Sequence, residues 1–91
     1  MQGIESKARR RVTFSLSSPD AKEVYLAGTF NNWDPRKDPF KRHSTGWKAV
    51  KYLPPGTYEY LLVVDGVWVQ DPSCAKRRGN PYGGENCILE V

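Results

Sequence analysis

The stretch Tyr58 to Asp71, read Tyr-Glu-Tyr-Leu-Leu-Val-Val-Asp-Gly-Val-Trp-Val-Gln-Asp, leaves the chain few choices. Two runs rich in β-branched and aromatic residues meet at Asp65-Gly66. A two-residue type I′ turn favours that pair, because both of its central residues need positive φ. With those two as the loop the register is set: Val64 opposite Val67, Val63 opposite Trp68, Leu62 opposite Val69, Leu61 opposite Gln70. Side chains alternate across a sheet, so one face carries Tyr58, Tyr60, Leu62, Val64, Val67 and Val69 and reads as core. The other carries Glu59, Leu61, Val63, Trp68 and Gln70, and is the face that water should wet. A tryptophan there calls for a reason.

The rest of the chain keeps the same period of two. Residues 1–10 read as a polar, frayed lead-in and 11–91 as one domain. Arg11 to Ser17 alternates, with Val12, Phe14 and Leu16 on one side, and is a half-buried strand. Ser18-Pro19-Asp20-Ala21 is a turn, and Glu23 to Thr29 a second strand. Gly28 to Pro35 reads as a loop holding two aromatics, Phe30 and Trp33, of which one is expected to plug the end of the core. Arg36 to Thr45 is polar and holds the single histidine, His43, expected in solvent. Gly46-Trp47 opens a third strand through Tyr52 with Trp47 in the core, and Leu53-Pro54-Pro55-Gly56 ends it. After the hairpin, Asp71 to Glu85 reads as a long loop and Asn86 to Val91 as the last strand. No segment keeps period 3.6 over three turns. Six or seven short strands define an all-β sandwich.

A chain of 91 residues with 38% hydrophobic content has a modest core. No run approaches the roughly 18 apolar residues of a membrane span, and no apolar signal segment opens the sequence, so the expectation is a cytoplasmic protein. The Met1 start fits an independent chain and equally an excised domain. Two cysteines, Cys74 and Cys87, are too few for a disulfide framework and form no metal motif; two ordinary thiols are the default, and a Cys74–Cys87 bridge stays open. The net charge of +4 gathers in Lys7-Ala8-Arg9-Arg10-Arg11 and Lys76-Arg77-Arg78. Such clusters read first as solvated loops and edge-strand protection.

Catalytic chemistry is thin. No nucleophile elbow, His-Glu metal motif or glycine-rich loop before a helix is present, so no enzyme, metal or cofactor is expected. Asp34, Asp38, Asp65 and Asp71 all lie next to Pro or Gly, where turn chemistry explains them. What remains is surface chemistry: Trp33 and Trp68 with amides and hydroxyls close by. Nucleobases stack on aromatic faces beside a basic groove. Sugar rings stack through their C–H face while amides bind the hydroxyls. One stacked sugar buries less than about 100 Å² of apolar area, so it contributes at most about 2 kcal/mol. Two platforms are therefore needed.

Several stretches, in order, carry a family resemblance: Val24-Tyr25-Leu26-Ala27-Gly28-Thr29-Phe30-Asn31-Asn32-Trp33, Leu53-Pro54-Pro55-Gly56-Thr57-Tyr58-Glu59-Tyr60, Val64-Asp65-Gly66-Val67-Trp68, Asp71-Pro72, and Asn86. From about Arg11 to Val91 the chain resembles the glycogen-binding domain of AMP-activated protein kinase β subunits and the wider carbohydrate-binding module family 48. The resemblance implies an early-set, immunoglobulin-like sandwich of about seven antiparallel strands. It also makes Trp33 and Trp68 the sugar platforms and Asn86 a hydroxyl partner. Tyr82 falls where the kinase domain has a ring-piercing leucine. The family's contacting lysine and threonine correspond to Leu61 and Gly84, neither of which offers a side-chain hydrogen bond.

The expected function is a non-catalytic module for α-1,4-glucans such as glycogen, starch or maltooligosaccharides, with a glycan-metabolising enzyme or kinase as partner and no nucleic acid or membrane. Bland readings stay open for single residues: loop packing for Trp33, Trp68 and Tyr82, and a backbone cap for Asn86. So does a scaffold of the same fold that works by protein contact. Single-stranded nucleic acid is disfavoured, because the basic clusters do not lie between the tryptophans.

Overall fold

The computed structural model describes residues 8–91. It holds nine strands: β1 (Arg10–Leu16), β2 (Val24–Gly28), β3 (Asp38–Pro39), β4 (Lys41–His43), β5 (Gly46–Leu53), β6 (Thr57–Val64), β7 (Val67–Val69), β8 (Lys76–Gly79) and β9 (Glu85–Glu90). A 3-10 turn, Thr29–Asn31, follows β2. The smaller antiparallel sheet runs β1-β5-β4, and the larger runs β3-β2-β6-β9-β8 with β7 also paired to β6. Phe14, Trp47 and Ala49 of the first meet Val24, Leu26, Tyr60, Leu62 and Cys87 of the second in one core. This is an all-β sandwich.

Strand β6 is the hub of the larger sheet. One edge pairs with β2. The other edge is shared, with β9 along Thr57–Tyr60 and β7 along Leu62–Val64. Around Leu61 that edge has no ladder partner, and Gln70 Nε2 bridges the gap by donating to the Glu85 carbonyl at 3.3 Å.

The hairpin forms in the expected register, Val64–Val67, Val63–Trp68 and Leu62–Val69, with Asp65 at φ 50° and Gly66 at 83°. Its ladder stops at Val69, so Leu61 and Gln70 do not pair. Two burial expectations are overturned. Val67, assigned to the core, is 60% exposed, because β7 is a three-residue strand whose first residue stands at the hairpin tip. Val63, assigned to the wet face, is buried, because its cross-strand neighbours there are Tyr25 and Trp68.

Further corrections follow from pairing that carries little sequence signal. The supposed loop Asp71–Glu85 contains β8, whose basic residues occupy an exposed sheet edge. Lys76 pairs with Glu90 and Arg78 with Glu59, each at 3.0 Å. The polar segment 36–45 contains β3 and β4. Of the lead-in, residues 1–7, Lys7 among them, lie outside the described residues, and β1 begins at Arg10. Cys74 and Cys87 are joined in a disulfide, Cα–Cα 5.9 Å, in place of the two thiols taken as default. Trp47 is buried as expected, its indole N–H donating to the Ser18 carbonyl at 3.0 Å. His43 is exposed, also as expected.

Three aspartates do more than turn, and one of them, Asp38, accepts from Asn31 and Lys51. Buried Asp71 accepts from the Tyr60 hydroxyl at 2.7 Å and from the Ser73 amide and hydroxyl. Burial, with that carboxylate beside it, holds the Tyr60 phenol far above its ordinary range. Asp65 accepts the backbone N–H groups of Glu23 and Lys22, each at 2.9 Å, so the hairpin tip clamps the approach to β2. Those two bonds, from Glu23 first and Lys22 second, lower the Asp65 pKa below its ordinary 3.8. A carboxyl whose pKa is depressed by folding stabilises the fold above its unfolded value, and that contribution is lost as pH falls through the folded value. Asp65→Asn keeps an acceptor and the turn, so its melting temperature is expected to decline less below about pH 4. Parallel acid declines for variant and native protein would show that the clamp does not depend on charge.

Candidate functional site

A groove of about 620 Å³ lies over the gap beside Leu61, on the outer face of the larger sheet. Alternation along β6 brings Glu59 and Leu61 to this face, β7 adds Trp68 and β9 adds Asn86. The loop after β2 supplies Trp33, and the turn between β8 and β9 supplies Asn80, Pro81 and Tyr82. Gly84 joins Leu61, Trp68 and Tyr82 in an adjoining hollow of about 400 Å³. All six residues singled out in the sequence thus meet in one place. Trp68 is 46% and Tyr82 93% exposed, whereas Trp33 is half-buried against the wall.

The turn that carries Trp33 is organised by a buried amide. The Asn31 side chain accepts from the Gly28 N–H at 3.0 Å and donates to the Leu26 carbonyl at 2.9 Å and to Asp38 Oδ2 at 2.7 Å. Lys51 of the opposite sheet completes the chain, 3.1 Å from Asp38. Asn32 and Trp33 then both turn left-handed, at φ 57° and 59°, and the Trp33 N–H returns to the Gly28 carbonyl at 2.9 Å. Asparagine tolerates that conformation; for tryptophan it costs on the order of 1 kcal/mol and persists because its surroundings dictate it. Phe30 takes the plugging role, with ring centroids 6.3 Å from Phe14 and 6.1 Å from Tyr58.

The opposite wall is organised by Asn80. Its Oδ1 accepts the backbone N–H groups of Tyr82 at 2.9 Å and Gly84 at 3.2 Å, and its Nδ2 donates to Asn86 Oδ1 at 3.1 Å. Asn86 Nδ2 in turn donates to Glu59 Oε1 at 3.1 Å, while Arg78 holds the other Glu59 oxygen. Asn86, 8% exposed, therefore bonds side chains rather than capping backbone, and its second amide hydrogen has no partner among the described residues. Leu61 adds an apolar floor. None of the lining residues is basic.

Sequence reasoning missed Asn80, Glu59 and Asn31. Asn80-Pro81 is a turn signal whose side-chain capping was available to be read. Glu59 was placed on the correct face without a role. Nothing in the sequence distinguishes Asn31, buried at 5% exposure, from the exposed Asn32 beside it.

The groove presents aromatic faces, amides and one neutralised carboxylate. Its ionisable lining residues are Glu59 and Tyr82. Among the described residues no group of three His, Cys, Asp or Glu gathers to hold a metal, and no helix is long and apolar enough to cross a membrane.

A β-sandwich with such a groove on its outer sheet face has the aromatic and amide surface that a carbohydrate-binding module requires. Over residues 11–91 the chain matches the family described as the glycogen recognition site of AMP-activated protein kinase, and it belongs to that family. It is similar to 5'-AMP-activated protein kinase subunit beta-1 of Sus scrofa, 41% identical over 69 residues, covering 76% of this chain and 55% of the relative. The Homo sapiens subunit beta-1 is also 41% identical over 69 residues, covering 76% of this chain and 25% of the relative. The Mus musculus subunit beta-2 is 37% identical over 70 residues, covering 77% and 26%. The chain thus spans about half of the first of these relatives and a quarter of the others.

Proposed function

We propose that this chain is a non-catalytic module that binds α-1,4-glucans, of the glycogen, starch and maltooligosaccharide type, with Trp33 and Trp68 as stacking platforms. The observation that carries this is the convergence of both tryptophans on one groove together with Asn80 and Asn86. Two stacked glucose units contribute at most about 4 kcal/mol, which alone reaches only about millimolar affinity. Tyr82, at the rim, supplies a third face, and the free Asn86 hydrogen and Glu59 oxygens bind hydroxyls. Leu61 extends the apolar floor, where it favours the sugar's C–H surface. Gly84 leaves room beside Tyr82. The glucan-bound module would bring a glycan-metabolising enzyme or a kinase to its substrate, in keeping with the subunits it resembles.

Titration with maltoheptaose, read by tryptophan fluorescence, tests this. The native protein is expected to show a saturable change that salt barely alters, since no phosphate is neutralised. Trp68→Ala removes a half-exposed side chain, so it should fold normally and bind about 10- to 30-fold more weakly, the loss of roughly one stacked ring. No response of the native protein up to millimolar sugar would overturn the proposal. Affinity that collapses with added salt would turn attention to a charged polymer instead.

A further inference from the structure

We infer that the Cys74–Cys87 disulfide is a redox control on the glucan groove, an inference that rests on the function proposed above. The bond staples the open end of the β8–β9 hairpin, whose closed end is the Asn80–Gly84 turn carrying Tyr82. Cys87 is fully buried in the core and directly follows Asn86. The two strands differ in what else holds them. β9 lies between β6 and β8 and stays in place. β8 is the outermost strand, exposed at every residue, and apart from its ladder to β9 its ties among the described residues are two ion pairs, Lys76 with exposed Glu90 and Arg78 with half-buried Glu59. Such pairs add little. The turn before it is secured independently, since Asp71 accepts from Ser73 and its carbonyl takes the Cys74 N–H at 3.1 Å. Reduction therefore leaves the segment from about residue 75 to the groove turn held by the β9 ladder, those ion pairs and the Asn80 bonds alone, which loosens it while the rest of the sandwich stays intact.

That segment holds Asn80, so its loosening reaches both Tyr82 and Asn86. Binding must then restore the order the disulfide maintained, and apparent affinity falls by the fraction of molecules still ordered. Cys74 is partly buried and Cys87 fully so, which directs attack to the Cys74 sulfur. A dithiol reductant forms a mixed disulfide there, and Cys87 leaves as thiolate and takes a proton. The second reductant thiol then displaces Cys74. Two electrons and two protons pass to the protein, and the reductant departs as its own disulfide.

The test compares maltoheptaose affinity of the oxidised chain and of the chain reduced with dithiothreitol, with circular dichroism on both. The reduced form is expected to stay folded and bind about tenfold more weakly. Cys74→Ser should match the reduced form and ignore dithiothreitol. Linkage adds a readout that a purely structural bond would not move. If oxidation favours glucan tenfold, saturating glucan must favour oxidation tenfold. That lowers the disulfide's midpoint potential by about 30 mV. Equal affinity in both forms, with an unmoved midpoint, would overturn the redox proposal alone. Global unfolding on reduction would also overturn it, leaving a staple of the fold. Absence of binding in either form would overturn the glucan reading and this proposal with it.

Discussion

Replacing Asn31 with alanine is expected to lower the unfolding free energy by about 3 kcal/mol and to weaken glucan binding at the same time. The side chain is 5% exposed and satisfies a backbone donor at Gly28, a backbone acceptor at Leu26 and the Asp38 carboxylate. Removing it leaves buried polar groups without partners, each costing about 1–3 kcal/mol. Domains of this size lose about 4–8 °C of melting temperature per kcal/mol, so the fall should exceed about 12 °C. Asn31→Asp should be at least as damaging. It can still accept from Gly28 but cannot donate to Leu26, and it brings a second negative charge against Asp38. The binding loss follows because the left-handed turn of Trp33 begins from this network. A melting temperature within about 2 °C of native for Asn31→Ala would refute the assignment.

The second large effect is expected at Gly28, which is required for space rather than for flexibility. Its φ of −168° is extended backbone that any residue adopts. A β-carbon there would lie 2.5 Å from the Glu59 carbonyl oxygen and 2.8 Å from both Tyr60 Cβ and the Phe30 ring. The ring can swing aside; the carbonyl and Tyr60 Cβ belong to the hub strand β6 and cannot. Overpacking of this kind costs about 1–3 kcal/mol, and Gly28→Ala should fall at the upper end. Gly79→Ala is the matched control, because nothing lies within 4 Å of the added carbon. Urea denaturation of the pair separates the two cases. Equal midpoints would mean that β2 shifts away from β6 at little cost.

What could be read in advance follows from the range of each interaction. The β6–β7 hairpin is local, and Asp65-Gly66 fixed its turn and register correctly. Trp47 and the exposure of Trp68 followed from strand position and alternation, and loop position told that one of Phe30 and Trp33 plugs the core but not which. The short strands β3, β4 and β8 were hidden because each is made by its neighbour: Lys76-Arg77-Arg78-Gly79 has no apolar pattern and becomes a strand only because β9 offers a ladder. Val63 and Val67 exchanged roles because burial depends on what stands across the strand as well as on alternation. The aromatic half of the groove was legible, since a tryptophan on a wet face is unusual in itself. Of its polar half only Asn86 was legible, through the family resemblance, because Asn80, Glu59 and Asn31 act on partners that folding brings together.

The Lys51–Asp38–Asn31 chain also has a kinetic consequence. The β6–β7 and β8–β9 hairpins close over short loops, and structures of that kind form in microseconds. The pairing of β1 with β5 joins residues some forty positions apart, and such topologies fold in milliseconds to seconds. Trp68 and Tyr82 ride on the fast hairpins. Trp33 follows β2, whose pairing with β6 spans separations as long, Val24 to Val64 and Gly28 to Tyr60, and Asn31 two residues before it reaches β5 through Asp38 and Lys51. The two tryptophans therefore reach one groove only through long-range pairing, so the groove becomes able to grip a glucan after the hairpin that carries Trp68 has closed.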